Sequence, residues 1–195
     1  KAEQVLNLST LVRKAVSVEI SLTNPLETHQ VFDVLIEGEG LYGSTMFTIE
    51  AKTSMSYELI FIPLRIMKEK GVVSFLNEKL GEICYEFNLV SEDNPPTKIP
   101  IISCEVGKSV KYEVEIENPS SQEVIAFPKQ SNPLNFYWEK SEIKLIPYSI
   151  NIATFVYTPS SLEKVETGEL SLESKEIGLW KFNVTGRGIS PKDFP

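Results

Sequence analysis

The chain of 195 residues is 42% hydrophobic and 24% charged, with 12 Pro, 10 Gly, two Cys and a single His. That length holds one large domain or two small ones, and the apolar content excludes wholesale disorder. No run approaches the roughly 18 consecutive apolar residues of a membrane-spanning helix, and a net charge of −8 sets aside nucleic acid and membrane as principal partners.

In chain order, Lys1-Ala2-Glu3 carries no initiator Met, apolar signal core or Arg-rich presequence, so the sequence reads as a piece of a longer chain. Val16-Ser17-Val18-Glu19-Ile20-Ser21-Leu22 alternates apolar with polar, as a half-buried strand does. His29 follows Asn24-Pro25 and precedes a strand expected over residues 31–36, which predicts an exposed strand start. Gly38-Glu39-Gly40 lacks the Lys-Ser/Thr pair of a phosphate loop and reads as a connection between strands. Residues 64–70 and 76–80 are the two segments with room for a short helical turn. Tyr85-Glu86-Phe87-Asn88-Leu89 is again a strand, and Ser91 to Pro100 is a connection stiffened by Pro95-Pro96. Val110 to Ile116 and Trp180-Lys181-Phe182-Asn183-Val184 repeat the period of two. The class is all-β.

The order of these blocks recurs. Asn24-Pro25 returns as Asn118-Pro119, 94 residues on, and Phe61-Ile62-Pro63 as Tyr157-Thr158-Pro159, 96 residues on. Gly71-Val72-Val73-Ser74-Phe75 matches Gly168-Glu169-Leu170-Ser171-Leu172 at 97, and Tyr85-Glu86-Phe87-Asn88 is set against Trp180-Lys181-Phe182-Asn183 at 95. Four blocks in one order at near-constant spacing mark a tandem duplication. A unit of this length with about seven short strands suits an immunoglobulin-like β-sandwich, here without the Cys-Trp-Cys pattern, which favours the disulfide-free, PapD-like kind. The expected division is one sandwich over residues 1–94, a Pro-rich linker over 95–100, a second sandwich over 101–190 and an onward linker from 191.

Chemistry-bearing residues are sparse. One histidine cannot build a two-histidine metal site, and no G-x-S-x-G elbow supports a triad around His29. Glu113, Glu115 and Glu117 share one strand face, about 7 Å apart at each step; a flat strand face offers no cleft, so they are expected to be solvated. Glu92-Asp93-Asn94 is too short an acidic run for a calcium loop. Cys84 and Cys104 fall in different repeats and are expected to be free thiols. Asn7-Leu8-Ser9 and Asn183-Val184-Thr185 fit the glycosylation triplet, a pattern common by chance. Phe61, Phe75, Tyr85 and Phe87 fall in the first repeat's strands, with Phe155, Trp180 and Phe182 in matching places of the second, as a duplicated core requires. Phe136, Tyr137 and Trp138 cluster in the second repeat alone. Phe136 and Trp138 share one strand face and Tyr137 the other, so at least one large ring is expected to be exposed, and this trio is the candidate protein-contact site. No catalytic, cofactor-binding or metal-binding residue is assigned.

Phe155-Val156-Tyr157-Thr158-Pro159-Ser160-Ser161-Leu162, with Gly168 opening the next strand, resembles the ASH branch of the major-sperm-protein-like (PapD-like) sandwiches, the kind found in hydin. Ile143-Lys144-Leu145-Ile146-Pro147 and the ending Trp180 to Gly188 are similar to the same family, as are Phe61-Ile62-Pro63, residues 71–75 and Gly81 to Glu86 of the first repeat. Residues 1–15 and 37–45 depart from its pattern. The resemblance implies a non-catalytic scaffold of the ciliary or flagellar axoneme whose partners are other axonemal proteins, with no small-molecule substrate and no cofactor. The alternative is a secreted or cell-surface adhesion module that binds glycans.

Overall fold

The computed structural model describes residues 4–191. Residues 1–3, and the expected onward linker apart from Pro191, lie outside the described residues. The chain divides into two compact units, Lys1–Asp93 and Asn94–Pro195. Among the described residues there is no helix.

The first unit contains β1 (Gln4–Leu11), β2 (Val16–Thr23), β3 (Gln30–Glu37), β4 (Leu41–Tyr42), β5 (Met46–Ile49), β6 (Ser54–Phe61), β7 (Met67–Asn77) and β8 (Gly81–Glu92). They form a sheet in the order β1-β8-β7-β3-β5 and a smaller one, β2-β6-β4. Ile20, Leu22, Leu59 and Phe61 of the small sheet share one core with Phe32, Val34, Val73, Phe75, Phe87 and Leu89 of the large one. Each strand delivers every second side chain to that core because its period is two. A buried phenylalanine contributes about 1.5–3 kcal/mol, and the edge-on ring contacts of Tyr57 with Phe75 (5.1 Å) and Phe47 (5.3 Å) add to that. This is a β-sandwich.

The second unit contains β9 (Thr97–Lys98), β10 (Ile102–Glu105), β11 (Val110–Asn118), β12 (Val124–Gln130), β13 (Phe136–Trp138), β14 (Ile143–Leu145), β15 (Ser149–Tyr157), β16 (Val165–Ser174) and β17 (Gly178–Ile189). Its sheets run β10-β17-β16-β12-β14, with β9 also on β17, and β11-β15-β13. β10 to β17 therefore repeat β1 to β8 in both chain order and sheet order. Thr97–Lys98, read from sequence as linker, is instead a strand: it pairs with Phe182 and Asn183, and Ile99 N–H donates to Asn183 O at 2.9 Å. Pro100 has no N–H to give, so the edge that runs unbroken as β1 is here split into β9 and β10.

Residues 64–70 and 76–80 hold no helical turn. Residues 67–70 pair with Ser91 to Asn88 inside β7, and Met67 is buried, so tertiary pairing overrides local propensity. The β7–β8 hairpin closes Asn77 on Gly81, and the β16–β17 hairpin closes Ser174 on Gly178. Gly81 (φ 82°) and Gly178 (φ 97°) take the left-handed conformation that both turns require. In each hairpin the first residue's side chain caps the turn, Asn77 Oδ1 on Lys79 and Leu80 N–H and Ser174 Oγ on Glu176 and Ile177 N–H. The hairpins thus correspond at a spacing of 97. Val12 N–H to Glu92 O in one unit, and Val106 N–H to Ile189 O in the other, agree. Tyr85 is therefore equivalent to Phe182 and Ile83 to Trp180, a shift of two from the Tyr85–Trp180 match expected from sequence. A shift of two keeps the same face of the strand, so the pattern alone does not detect it.

Asn24 and Asn118 are both fully buried. Asn24 Nδ2 lies within hydrogen-bonding distance of the carbonyls of Thr28 (2.9 Å), Ile49 (3.0 Å) and Glu50 (3.2 Å), and its Oδ1 accepts from Leu26 N–H (3.0 Å). Asn118 repeats this with Gln122 O (2.8 Å), Leu145 O (3.1 Å) and Ser120 N–H (3.0 Å). Each side chain ties the corner after the first small-sheet strand to the end of an edge strand in the other sheet. Removing the amide strands several buried backbone groups, so Asn24→Ala and Asn118→Ala are each expected to cost about 2–4 kcal/mol. Urea unfolding followed by circular dichroism checks this; a loss under about 1 kcal/mol for both would show that the clip is dispensable.

Candidate functional site

Strand periodicity separates the aromatic trio. β13 pairs with β15 through Phe136 opposite Tyr157, Tyr137 opposite Val156 and Trp138 opposite Phe155. Phe136 is wholly buried and stacks on Tyr157 with centroids 4.8 Å apart. Trp138 meets the rings of Phe155 (6.0 Å) and Phe182 (5.9 Å) edge-on, and its Nε1–H donates to Lys129 O at 3.1 Å. Only Tyr137 reaches solvent, at 37% exposure. The expected contact patch is corrected accordingly: Phe136 and Trp138 are core residues.

The end of β15 is held by a polar frame. Tyr157 O–H donates to Glu166 Oε1 (2.9 Å), and both carboxylate oxygens of Glu166 stand 3.3 Å from Ser160 N. Burial, followed by the Glu166 carboxylate, pushes the Tyr157 phenol well above its ordinary range. Asn135 Nδ2 lies close to Thr158 O (2.9 Å) and Ser160 Oγ (2.7 Å). A Cβ at position 186 would run into the Tyr157 ring, so glycine is required there. This frame seats β13 against residues 155–157, and after Glu139 N–H donates to Thr154 O (3.0 Å) the chain leaves for β14 in the other sheet. Among the described residues, residues 149–153 of β15 are thereby left without a strand on that side.

On the outer face of this sheet, Ile150 and Ile152 are 59% and 51% exposed. Opposite them on β11 stand Glu117 and Glu115, with Glu113 opposite Thr154. The three glutamates are exposed on an open strand face, as expected. The first unit carries Ser54 and Ser56 in the equivalent places, opposite Thr23 and Ser21. Sequence reasoning missed this row, although Ile150, Ile152 and Val156 alternate with Ala153, Phe155 and Tyr157, making both faces of one strand apolar.

The remaining candidates are dispersed. His29 is exposed at the approach to β3, and Gly38-Glu39-Gly40 is a loop in which Glu39 takes two hydrogen bonds from Arg65 (2.7 and 2.9 Å). Asn7 and Asn183 are exposed on β1 and β17. Cys84 and Cys104 are free thiols. Among the described residues, no three His, Cys, Asp or Glu side chains gather to hold a metal ion, and no helix is long and apolar enough to cross a membrane.

No protein-family model matches the chain. It is 24% identical over 193 residues to mouse cilia and flagella-associated protein 47, an alignment covering 96% of this chain and 6% of that protein. Against human cilia- and flagella-associated protein 47 the identity is 22% over 193 residues, covering 97% of this chain and 6% of the relative. The chain thus spans a small fraction of the curated relatives it matches. Among solved structures it is similar to the ASH/PapD-like domain 7 of human CEP192 (TM-score 0.43, 12% identity, 50% of this chain and 84% of that one). It is also similar to SSP-19, a major-sperm-protein-domain protein of Caenorhabditis elegans (TM-score 0.38, 8% identity, 48% of this chain and 94% of that one). The relatives named for cilia and flagella agree with the ciliary resemblance that the repeat motifs carried.

Two outcomes follow from the burial. Phe136→Ala should cost about 3–5 kcal/mol of stability and Tyr137→Ala less than about 1 kcal/mol, measured by urea unfolding; equal costs would contradict the division of the trio. Burial, reinforced by Glu105 and opposed by Lys108, raises the Cys104 thiol pKa, whereas Cys84 is only half-buried. Timed alkylation of the unreduced, folded protein should therefore label Cys84 well before Cys104, and mass spectrometry after unfolding should find both labelled. A Cys84–Cys104 bridge, or faster labelling of Cys104, would contradict this.

Proposed function

We propose that this chain is a non-catalytic structural piece of a long ciliary or flagellar protein, acting in the axoneme by binding other axonemal proteins. The observation that carries the reading is the alignment of 193 residues, which runs across both units, with relatives named for cilia and flagella. The surface supports a role in binding: each unit offers edge strands, and the second carries an exposed apolar row where the first carries serines. The groups that acid–base chemistry would draw on stand in the open, His29 at a strand start and Glu113, Glu115 and Glu117 along an exposed strand face. A partner strand laid on an edge gains its affinity from backbone hydrogen bonds, which salt screens little. The net charge of −8 disfavours direct docking on acidic tubulin tails.

The test is a pull-down from ciliary extract with this chain, at low and at high salt. Axonemal proteins other than tubulin should be enriched and should stay bound as salt rises. Recovery of tubulin alone, vanishing in high salt, would overturn the reading.

A further inference from the structure

We propose that the bare edge of β15 is a docking site for an extended segment of another protein, one that alternates small apolar residues with Lys or Arg. This deepens the reading above and rests on it. Thr154 O accepts from Glu139 N–H, which shows that the Thr154 carbonyl points away from β11. Backbone groups alternate in direction along an antiparallel strand, so the N–H and C=O of Ile150 and Ile152 point the same way. Among the described residues no strand lies along them. Beside this edge runs a groove of about 270 Å³ whose lining includes Glu139, Lys140, Ile143, Lys144, Ile152 and Ala153. The first unit has a groove in the corresponding place, of about 490 Å³, whose lining includes Phe47, Thr48, Ser56 and Tyr57. The gap therefore belongs to the repeated architecture, and the second unit differs in how its outer rim is dressed.

The rim selects the occupant. A strand added to β15 turns alternate side chains inward over the buried Ile143 and Ala153, which small apolar groups would meet, while Lys140 and Lys144 line the groove together with Glu139 and Glu142. The other side chains lie on the outer face beside Ile150 and Ile152, with Glu113, Glu115 and Glu117 one strand beyond. Lysine and arginine fit that face best, because their stems cover isoleucine while their charged heads reach the glutamates. None of those three glutamates is in a salt bridge within the described residues. A second copy of the chain suits the edge poorly. It would bring its own acidic row and a net charge of −8 to the same side.

The probe is a ten-residue peptide alternating Val and Lys, titrated into the whole chain and read by backbone NMR and amide hydrogen exchange, with a Val/Glu peptide for comparison. The Val/Lys peptide should bind, shift the amides of Ile150 and Ile152 and slow their exchange at least about tenfold. The Val/Glu peptide should bind at least about tenfold more weakly. Ile152→Pro removes the outward N–H and should abolish binding. Because that variant can also misfold, the surface variant Glu113→Gln/Glu115→Gln/Glu117→Gln is the second arm. It should keep the melting temperature and weaken the Val/Lys peptide at least about fivefold at low salt. Equal binding of both peptides, protection at another edge, or protection of Ile150 and Ile152 by protein concentration alone would overturn the proposal. A salt-resistant pull-down that the triple variant leaves unchanged would overturn this site while the scaffold reading stands.

Discussion

One buried asparagine holds each sandwich to its topology, Asn24 in the first unit and Asn118 in the second. A sandwich of small, separate sheets has few covalent links between layers, and its corners are where backbone groups lose their ladder partners. Asn24 and Asn118 fill that need with one side chain each. The amide nitrogen reaches the carbonyl that ends an edge strand of the opposite sheet, Ile49 or Leu145, and the amide oxygen takes the N–H two residues ahead. With the corner closed, β3 or β12 enters the large sheet with its apolar residues facing the small one. A carboxylate at the same place would bring a buried charge with no donor for those carbonyls, so the amide chemistry is specific.

Around those clips the duplication has kept the interior and changed the exterior. Strand order, the hairpin closures and the corner hydrogen bonds recur between the units. Core volume is redistributed: Phe61 becomes Tyr157, and Leu89 gives way to Gly186, which makes room for the larger ring and lets its hydroxyl reach Glu166. Packing density ties such changes together, because added volume on one strand has to be removed from another. The outer face carries no such constraint. There Ser54 and Ser56 of one unit correspond to Ile150 and Ile152 of the other, an exchange that packing does not require and that a binding surface explains.

The aromatic trio shows where residue type misleads. Phe136, Tyr137 and Trp138 form a cluster in sequence, yet a strand sends consecutive side chains to opposite faces, so two of the three enter the core. Aromatic side chains bury the largest apolar areas in the chain, and three in a row mark a core strand as readily as an interface. The isoleucine row was harder to see. Its signal is an apolar residue on each face of one strand, and it acquires meaning only beside the serines of the other repeat.

The sequence by itself determined the all-β class, the duplication and the two Asn-Pro corners. Each rests on local alternation or on a residue whose chemistry suits one backbone arrangement. In strands such as β2 and β11 it also determined which face is apolar. Tertiary structure alone decided the registers, since a slip of two residues preserves the face pattern and leaves Tyr85 opposite either candidate in the other repeat equally plausible. It decided that Thr97–Lys98 joins a sheet, because pairing with β17 comes from residues far along the chain. And it decided that β15 is bare over residues 149–153. An edge is the absence of a neighbouring strand, and no residue within β15 encodes where β13 stops.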